Sequence, residues 1–208
     1  MEKDLIFKEI SEHLMKDEKP SEYINNIIKN KTYDIELIEK LCKLKDIDQN
    51  LKYHPEGNVL NHVLMVVDNA AKVKESSKDG LAFMWGALLH DIGKLTTTKI
   101  RKGRITSYNH DVEGEKICKE ILDELTNNQE FKYKVSKLVR HHMQPLFYDK
   151  NLPFFSYENL VKDIDYNEIA LISTADRLGR GGITKEIESK ELEKIEKFKA
   201  YLETREGN

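Results

Sequence analysis

Cysteine, proline and tryptophan are scarce in this chain of 208 residues, with two, four and one respectively, and each scarcity excludes something. Cys42 and Cys118 stand far apart with no CxxC spacing, so neither a disulfide framework nor a zinc ribbon is suggested. Both fall among apolar helical positions, where cysteine acts as a small hydrophobe. Long apolar runs are missing too. The longest, Leu81 to Leu89, is too short to span a bilayer. The N-terminal MEKDLIFKEI puts charges where a signal peptide needs an apolar core. These absences predict a cytoplasmic protein with no membrane association. Nor is there an excess of one charge. The net charge is −3, so no recognition of DNA sequence is expected, and any affinity for nucleic acid must be local.

What is present is helical periodicity. Ile6, Ile10 and Leu14 recur every four residues. Tyr23, Ile24, Ile27 and Ile28 form a second face. Leu37, Ile38, Leu41 and Leu44 form a third, with Asp34 as its expected N-cap. Residues 53–58 read as a turn, with Asn58 capping a helix that runs to about Glu75. Residues 80–90 are apolar almost all round, as in a buried central helix, and Gly93 is placed to end it in a left-handed conformation. Residues 96–108 are rich in β-prone types around Lys102-Gly103 and predict a short hairpin or ordered loop insertion. Helices are expected again at about 111–126, 129–143, 166–179 and 184–204. Pro145 and Pro153 bracket a looser segment. The expected class is therefore an all-α helical bundle. It divides into an N-terminal helical appendage (1–50), a core (51–182) and a charged C-terminal helix packed on that core (183–208).

The chemistry sits on the inward faces. His62 shares its face with Val59, Val66 and Ala70. Asp176 lies at i, i+3, i+4, i+7 with Ile169, Ile172 and Ser173, where an ionised carboxylate is costly unless something positive meets it. His142 continues the stripe of Phe131, Val135, Leu138 and Val139, whereas His141 points about a hundred degrees away. The pair His90-Asp91 ends the buried helix. Three helices thus each turn one metal-competent side chain inward and a fourth ends on two, with His110 also in range. Neutral imidazoles and carboxylates suit Zn, Fe, Mn, Ni or Co. Such a divalent ion supplies what phosphoester hydrolysis needs: an electrophile, an acidified water and charge neutralisation.

His62, His90-Asp91 and Asp176 together resemble the H…HD…D pattern of the HD-domain metal-dependent phosphohydrolases, an all-helical superfamily. The blocks YHPEGNVLNH (53–62), LLHDIGK (88–94), RITSYNHDVEG (104–114), LVRHHMQPLFY (138–148) and ADRLGRG (175–181) are similar to the HD region of bacterial CCA-adding tRNA nucleotidyltransferases. The likeness covers roughly residues 45–182. No stretch resembles the nucleotidyltransferase head, with its glycine-rich loop and paired aspartates, so CCA addition is not implied. The resemblance implies an HD phosphohydrolase acting on nucleotide or RNA-end phosphoesters, of 2′,3′-cyclic phosphodiesterase, 2′-nucleotidase or phosphatase type. It implies His62, His90, Asp91 and Asp176 as ligands of a first metal. It adds His110 and His142 as ligands of a second ion that shares Asp91, with the number of ions (one or two) and their identity, Mg included, left open. Related RNA-processing sequences often carry Asn or another polar residue where His141 stands. Asp91 and Lys94 are the expected catalytic residues, Lys94 meeting a phosphate oxygen in an HDxGK motif. Arg177 or Arg180 is expected to contact substrate. Lys99, Arg101, Lys102 and Arg104, near Tyr108, form either an RNA-binding loop or a solvated one. His54 is expected to be structural or to line the rim. Two other functions fit the same residues: 5′-nucleotidase or dinucleotide-polyphosphate hydrolase, and a non-catalytic, metal-stabilised module that binds RNA or protein.

Overall fold

The computed structural model describes residues 2–206. In chain order the helices are α1 (Glu2–Lys16), α2 (Pro20–Asn30), α3 (Glu36–Leu44), α4 (Val59–Ala71), α5 (Gly80–Leu89) and α6 (Lys94–Thr97). An antiparallel hairpin follows, β1 (Lys99–Arg101) and β2 (Arg104–Thr106). Then come α7 (His110–Leu125), α8 (Gln129–His141), α9 (Gln144–Asp149), α10 (Tyr157–Asp163), α11 (Tyr166–Leu178) and α12 (Lys185–Glu206). The class is all-α, and the hairpin lies inside the segment expected for it.

Helix α5 is the axis of the bundle, packing against α1, α4, α8 and α11. Its N-terminus is capped by Asp79, which accepts from Ala82 N at 3.1 Å. Every residue from Ala82 to Leu89 is buried, as expected of a helix that is apolar all round. Trp85 is wholly enclosed. Its Nε1 donates to Ser11 Oγ at 3.0 Å, and its ring stacks on Phe7 at 5.2 Å. Through these contacts α1 docks on α5. Helices α2 and α3 pack on α4, and all three N-terminal helices join the same hydrophobic core as the later ones. On the far side α12 buries Ile195, Phe198 and Leu202, spaced by three and four, against α9 and α11.

Several local expectations yield to tertiary partners. Asp34 does not cap α3. The first residue outside that helix is Ile35, and the orphan Glu36 N–H is met from another helix, by Glu124 Oε2 of α7 at 2.8 Å. Helix α4 stops at Ala71, and the stretch to Ser76 continues only as a 3₁₀ turn. The proline-bracketed segment holds a short helix of its own, α9, with Pro145 in its first turn, where the missing N–H costs nothing.

Gly93 is right-handed (φ −66, ψ −15), so it does not end α5 by a left-handed turn. It is glycine because backbones collide there. A Cβ would lie 2.0 Å from His110 O and 2.5 Å from Gly114 N. The turn after His90-Asp91 is thereby pressed against the start of α7.

Candidate metal centre

Helix ends build the site. His90 is the first residue past α5, His110 opens α7, and His142 is the first residue past α8. Each imidazole uses the same local device. His90 Nδ1 lies 2.9 Å from Ala87 O, His110 Nδ1 2.7 Å from Ser107 O, and His142 Nδ1 2.7 Å from Val139 O. In every case the acceptor is the carbonyl three residues earlier. After α5 and α8 it is one of the last-turn carbonyls that a helix leaves without an internal partner. A carbonyl can only accept, so Nδ1 carries the proton and Nε2 presents a lone pair.

Those Nε2 atoms converge. His110 and His142 face each other at 3.2 Å, and His62 and His90 at 3.4 Å. Asp91 stands between the pairs. Its Oδ2 lies 3.4 Å from His90 Nε2 and 3.6 Å from His62 Nε2. Its Oδ1 lies 3.4 Å from His110 Nε2 and 4.0 Å from His142 Nε2. Asp176 joins from α11, with Oδ1 3.0 Å from His62 Nε2. All six groups are buried. Two triads, His62–His90–Asp91 and Asp91–His110–His142, each have ligand atoms close enough for one ion, and they share Asp91.

The donor set fits a divalent cation. Burial lowers the His110 pKa and pushes that of His142 down to about 3, so both rings are neutral near pH 7. Two lone pairs facing at 3.2 Å with no proton between them repel; a cation turns the same geometry into ligation. Burial would raise both carboxylates, but Lys94 beside Asp91 and Arg180 beside Asp176 hold them well below the usual range. Both are therefore ionised and offer anionic oxygens to a cation. Imidazole and carboxylate together suit a first-row divalent metal.

The sequence reading missed Glu56. Its Oε1 lies 2.9 Å from His62 Nδ1, close enough for an ion pair though poorly aligned as a hydrogen bond. It also lies 2.9 Å from His54 Nδ1, and Oε2 accepts from Gly181 N at 3.1 Å. Burial opposes its ionisation, yet these partners, led by His62, bring its pKa down to about 2. Burial likewise disfavours charge on His62, but Asp176 and Glu56 raise its pKa. A carboxylate behind a ligating imidazole fixes ring orientation and raises its basicity. His54, Glu56 and His62 are themselves close enough to hold an ion. However, His62 turns Nδ1 to that group and Nε2 to the central cluster, which makes Glu56 the support. The only sign of it in the sequence was its place in the YHPEGN turn.

The expected substrate contacts divide. Lys94 Nζ donates to Asp91 Oδ2 and Gln49 Oε1, both at 2.7 Å. Arg180 reaches Asp176 Oδ1 at 3.3 Å. Arg177 is 5% exposed and its guanidinium pairs with Glu191 of α12 at 2.5 Å, which ties two helices together, while its other terminal nitrogen has no hydrogen-bond partner among the described residues. His141 turns away as its phase predicts, with Nε2 3.0 Å from Asp163 Oδ2. Accordingly His142→Ala should lower bound metal and hydrolysis more than His141→Ala, exceeding the roughly 10–100-fold typical of supporting residues. Metal content and turnover of the two variants check this, and the reverse order would refute the assignment.

The HD domain family profile matches residues 59–180, so the chain belongs to the HD domain family, whose members are in general metal-dependent hydrolases. Among curated proteins it is similar to the multifunctional CCA protein of Actinobacillus pleuropneumoniae serotype 5b, 27% identical over 106 residues, 51% of this chain and 25% of the relative. The corresponding protein of Cupriavidus metallidurans is 29% identical over 137 residues, 66% of this chain and 31% of the relative. That of Burkholderia pseudomallei is 41% identical over 61 residues, 29% of this chain and 14% of the relative. The chain thus spans about a quarter of the length of the first of these relatives. Among the described residues no helix is long and apolar enough to cross a membrane.

Proposed function

We propose that this chain hydrolyses nucleotide or RNA-end phosphoesters, as a 2′,3′-cyclic phosphodiesterase, 2′-nucleotidase or phosphatase. His62, His90, Asp91 and Asp176 hold one divalent ion, and Asp91, His110 and His142 a second. The observation that carries this reading is Asp91, one carboxylate whose two oxygens each face a pair of imidazole Nε2 atoms. Bound divalent ions supply a Lewis acid for the phosphoryl oxygens and a water acidic enough to attack near pH 7.

The chain's own residues do the rest. Lys94 has three ammonium protons and spends two on Asp91 and Gln49, leaving one for a phosphate oxygen. Arg180, held over Asp176, has guanidinium donors left and neutralises a second oxygen. Burial and the nearby cations lower the His54 pKa to about 4. With Nδ1 directed at Glu56, His54 is neutral and presents Nε2 as an acceptor at the rim.

Lys94→Ala should lower kcat about 100-fold, the loss typical of one oxyanion donor, while metal is still taken up. Unchanged kcat, or loss of metal in parallel, would remove Lys94 from the catalytic role. The reading as a whole is tested by offering metal-replete protein a panel of 2′-, 3′- and 5′-nucleotides, 2′,3′-cyclic nucleotides, diesters and dinucleotide polyphosphates. Turnover of cyclic and 2′-phosphates is expected. Preference for 5′-monophosphates or dinucleotides would reassign the substrate, and inertness across the panel would leave only a binding module.

A further inference from the structure

The segment between Lys94 and His110, which carries the hairpin, breaks local rules in one direction. Residues 92–110 carry five cations and no acidic residue, in a chain of net charge −3. Register places Arg101 directly opposite Arg104, a like-charge pair that weakens a two-stranded ribbon. The two-residue turn has positive φ at both positions, Lys102 at 49° and Gly103 at 72°, where Asn-Gly or Asp-Gly is the favoured choice. A lysine takes the strained position instead. No carboxylate among the described residues pairs with Lys99, Arg101, Lys102 or Arg104, whereas Lys94 and His110 at the two ends face Asp91. Tyr108 is 58% exposed, with the Arg101 guanidinium 5.1 Å from its ring centre. The loop bonded to Lys94 through Gln49 offers a second exposed tyrosine, Tyr53, with Lys52 Nζ 5.5 Å from its ring. Local violations that all add uncompensated positive charge mark a functional surface.

We infer that the hairpin is a single-stranded RNA-binding arm: Lys99, Arg101, Lys102 and Arg104 track the phosphates, Tyr108 stacks a base, and the RNA end is delivered to the metal centre. This rests on the proposed hydrolase reading and narrows its substrate from nucleotides to RNA ends. Cation rows with interleaved aromatics fit a flexible polyanion with exposed π-faces.

The test is fluorescence anisotropy of metal-replete protein with a labelled oligoribonucleotide of about a dozen nucleotides ending in a 3′-hydroxyl, so that no scissile end phosphate is present. Four phosphate contacts on a single strand give a log K versus log salt slope of about −2.8. Arg101→Ala/Arg104→Ala should weaken binding at least about tenfold and flatten the slope by about 1.4. Tyr108→Ala should weaken it about tenfold at unchanged slope, and Tyr108→Phe should restore it. Absence of RNA binding, variants with unchanged affinity and slope, or equal competition by polyglutamate would overturn the arm. Turnover of small phosphoesters is read separately. If it persists without RNA binding, only the arm falls; if RNA binds and nothing is hydrolysed, the arm stands and the hydrolase reading falls.

Discussion

Asp91→Ala is expected to abolish metal-dependent hydrolysis, a loss of about a thousandfold or more, since the Lewis-acid contribution is worth several kcal/mol. Its two carboxylate oxygens face the two imidazole pairs separately. His62 and His90 meet its Oδ2, His110 and His142 its Oδ1, and Lys94 is fixed by it as well. Without it the imidazoles of His90, His110 and His142 retain their Nδ1 anchors but lose the shared anion that the proposed metal centre requires. The change should leave helicity intact, because Asp91 lies in a turn and caps no helix. A second readout separates loss of metal from loss of fold. A ligand that binds only the native state at about 100 times its Kd stabilises it by about 2.7 kcal/mol, or a Tm rise of roughly 5–11 °C for a domain of this size. Wild-type protein should show that rise with a divalent metal and lose it to a chelator, and Asp91→Ala should show none. His90→Ala should behave alike. Full activity in either variant, or an undiminished metal-induced shift, would end the proposed assignment.

Gly93→Ala is expected to destabilise the protein by at least about 3 kcal/mol, beyond the usual range for overpacking, because the added methyl meets backbone that cannot rotate aside. A Cβ at this position would lie 2.0 Å from His110 O and 2.9 Å from Gly114 Cα. Relief requires the turn after Asp91 to separate from α7. That separation moves His110 away from Asp91, so hydrolysis should fall even at temperatures where the variant remains folded. A drop in Tm of roughly 6–12 °C is expected. The control is Gly103→Ala in the exposed hairpin, where nothing lies within 4 Å of the new methyl and only the positive φ of 72° resists it. The control should cost about 1 kcal/mol. Similar costs at the two sites would show that α7 yields to the added methyl without strain.

The helices and the inward phase of the ligands were legible in the sequence because both follow from a 3.6-residue period. His62 lies among Val59, Val63 and Val66, Asp176 continues the face of Ile169, Ile172 and Ser173, and His142 rather than His141 extends the stripe of α8. Counting along the chain suffices for such features, since a helix repeats its face regardless of what packs on it. The same counting could not tell what a residue meets. Gly93 has two possible uses, conformational freedom and absence of a side chain, and only the approach of α7 selects the second. Asp34 carries the right chemistry for a cap, but Glu124, far along the chain, holds the N–H of Glu36. Arg177 and Arg180 stand three residues apart and look alike in the sequence, and only the fold shows that one pairs with Glu191 of α12 and the other with Asp176 at the cluster.

The amino-acid order alone determined the class of fold, the element that would be buried and the six inward side chains of the right donor chemistry for a cation, since periodicity and donor chemistry can be read along the chain. Tertiary structure alone decided that Asp91 stands between two imidazole pairs and that Glu56 backs His62. The imidazoles that meet at Asp91 stand up to 51 positions from it, and how the helices dock, not a local preference, brings them together.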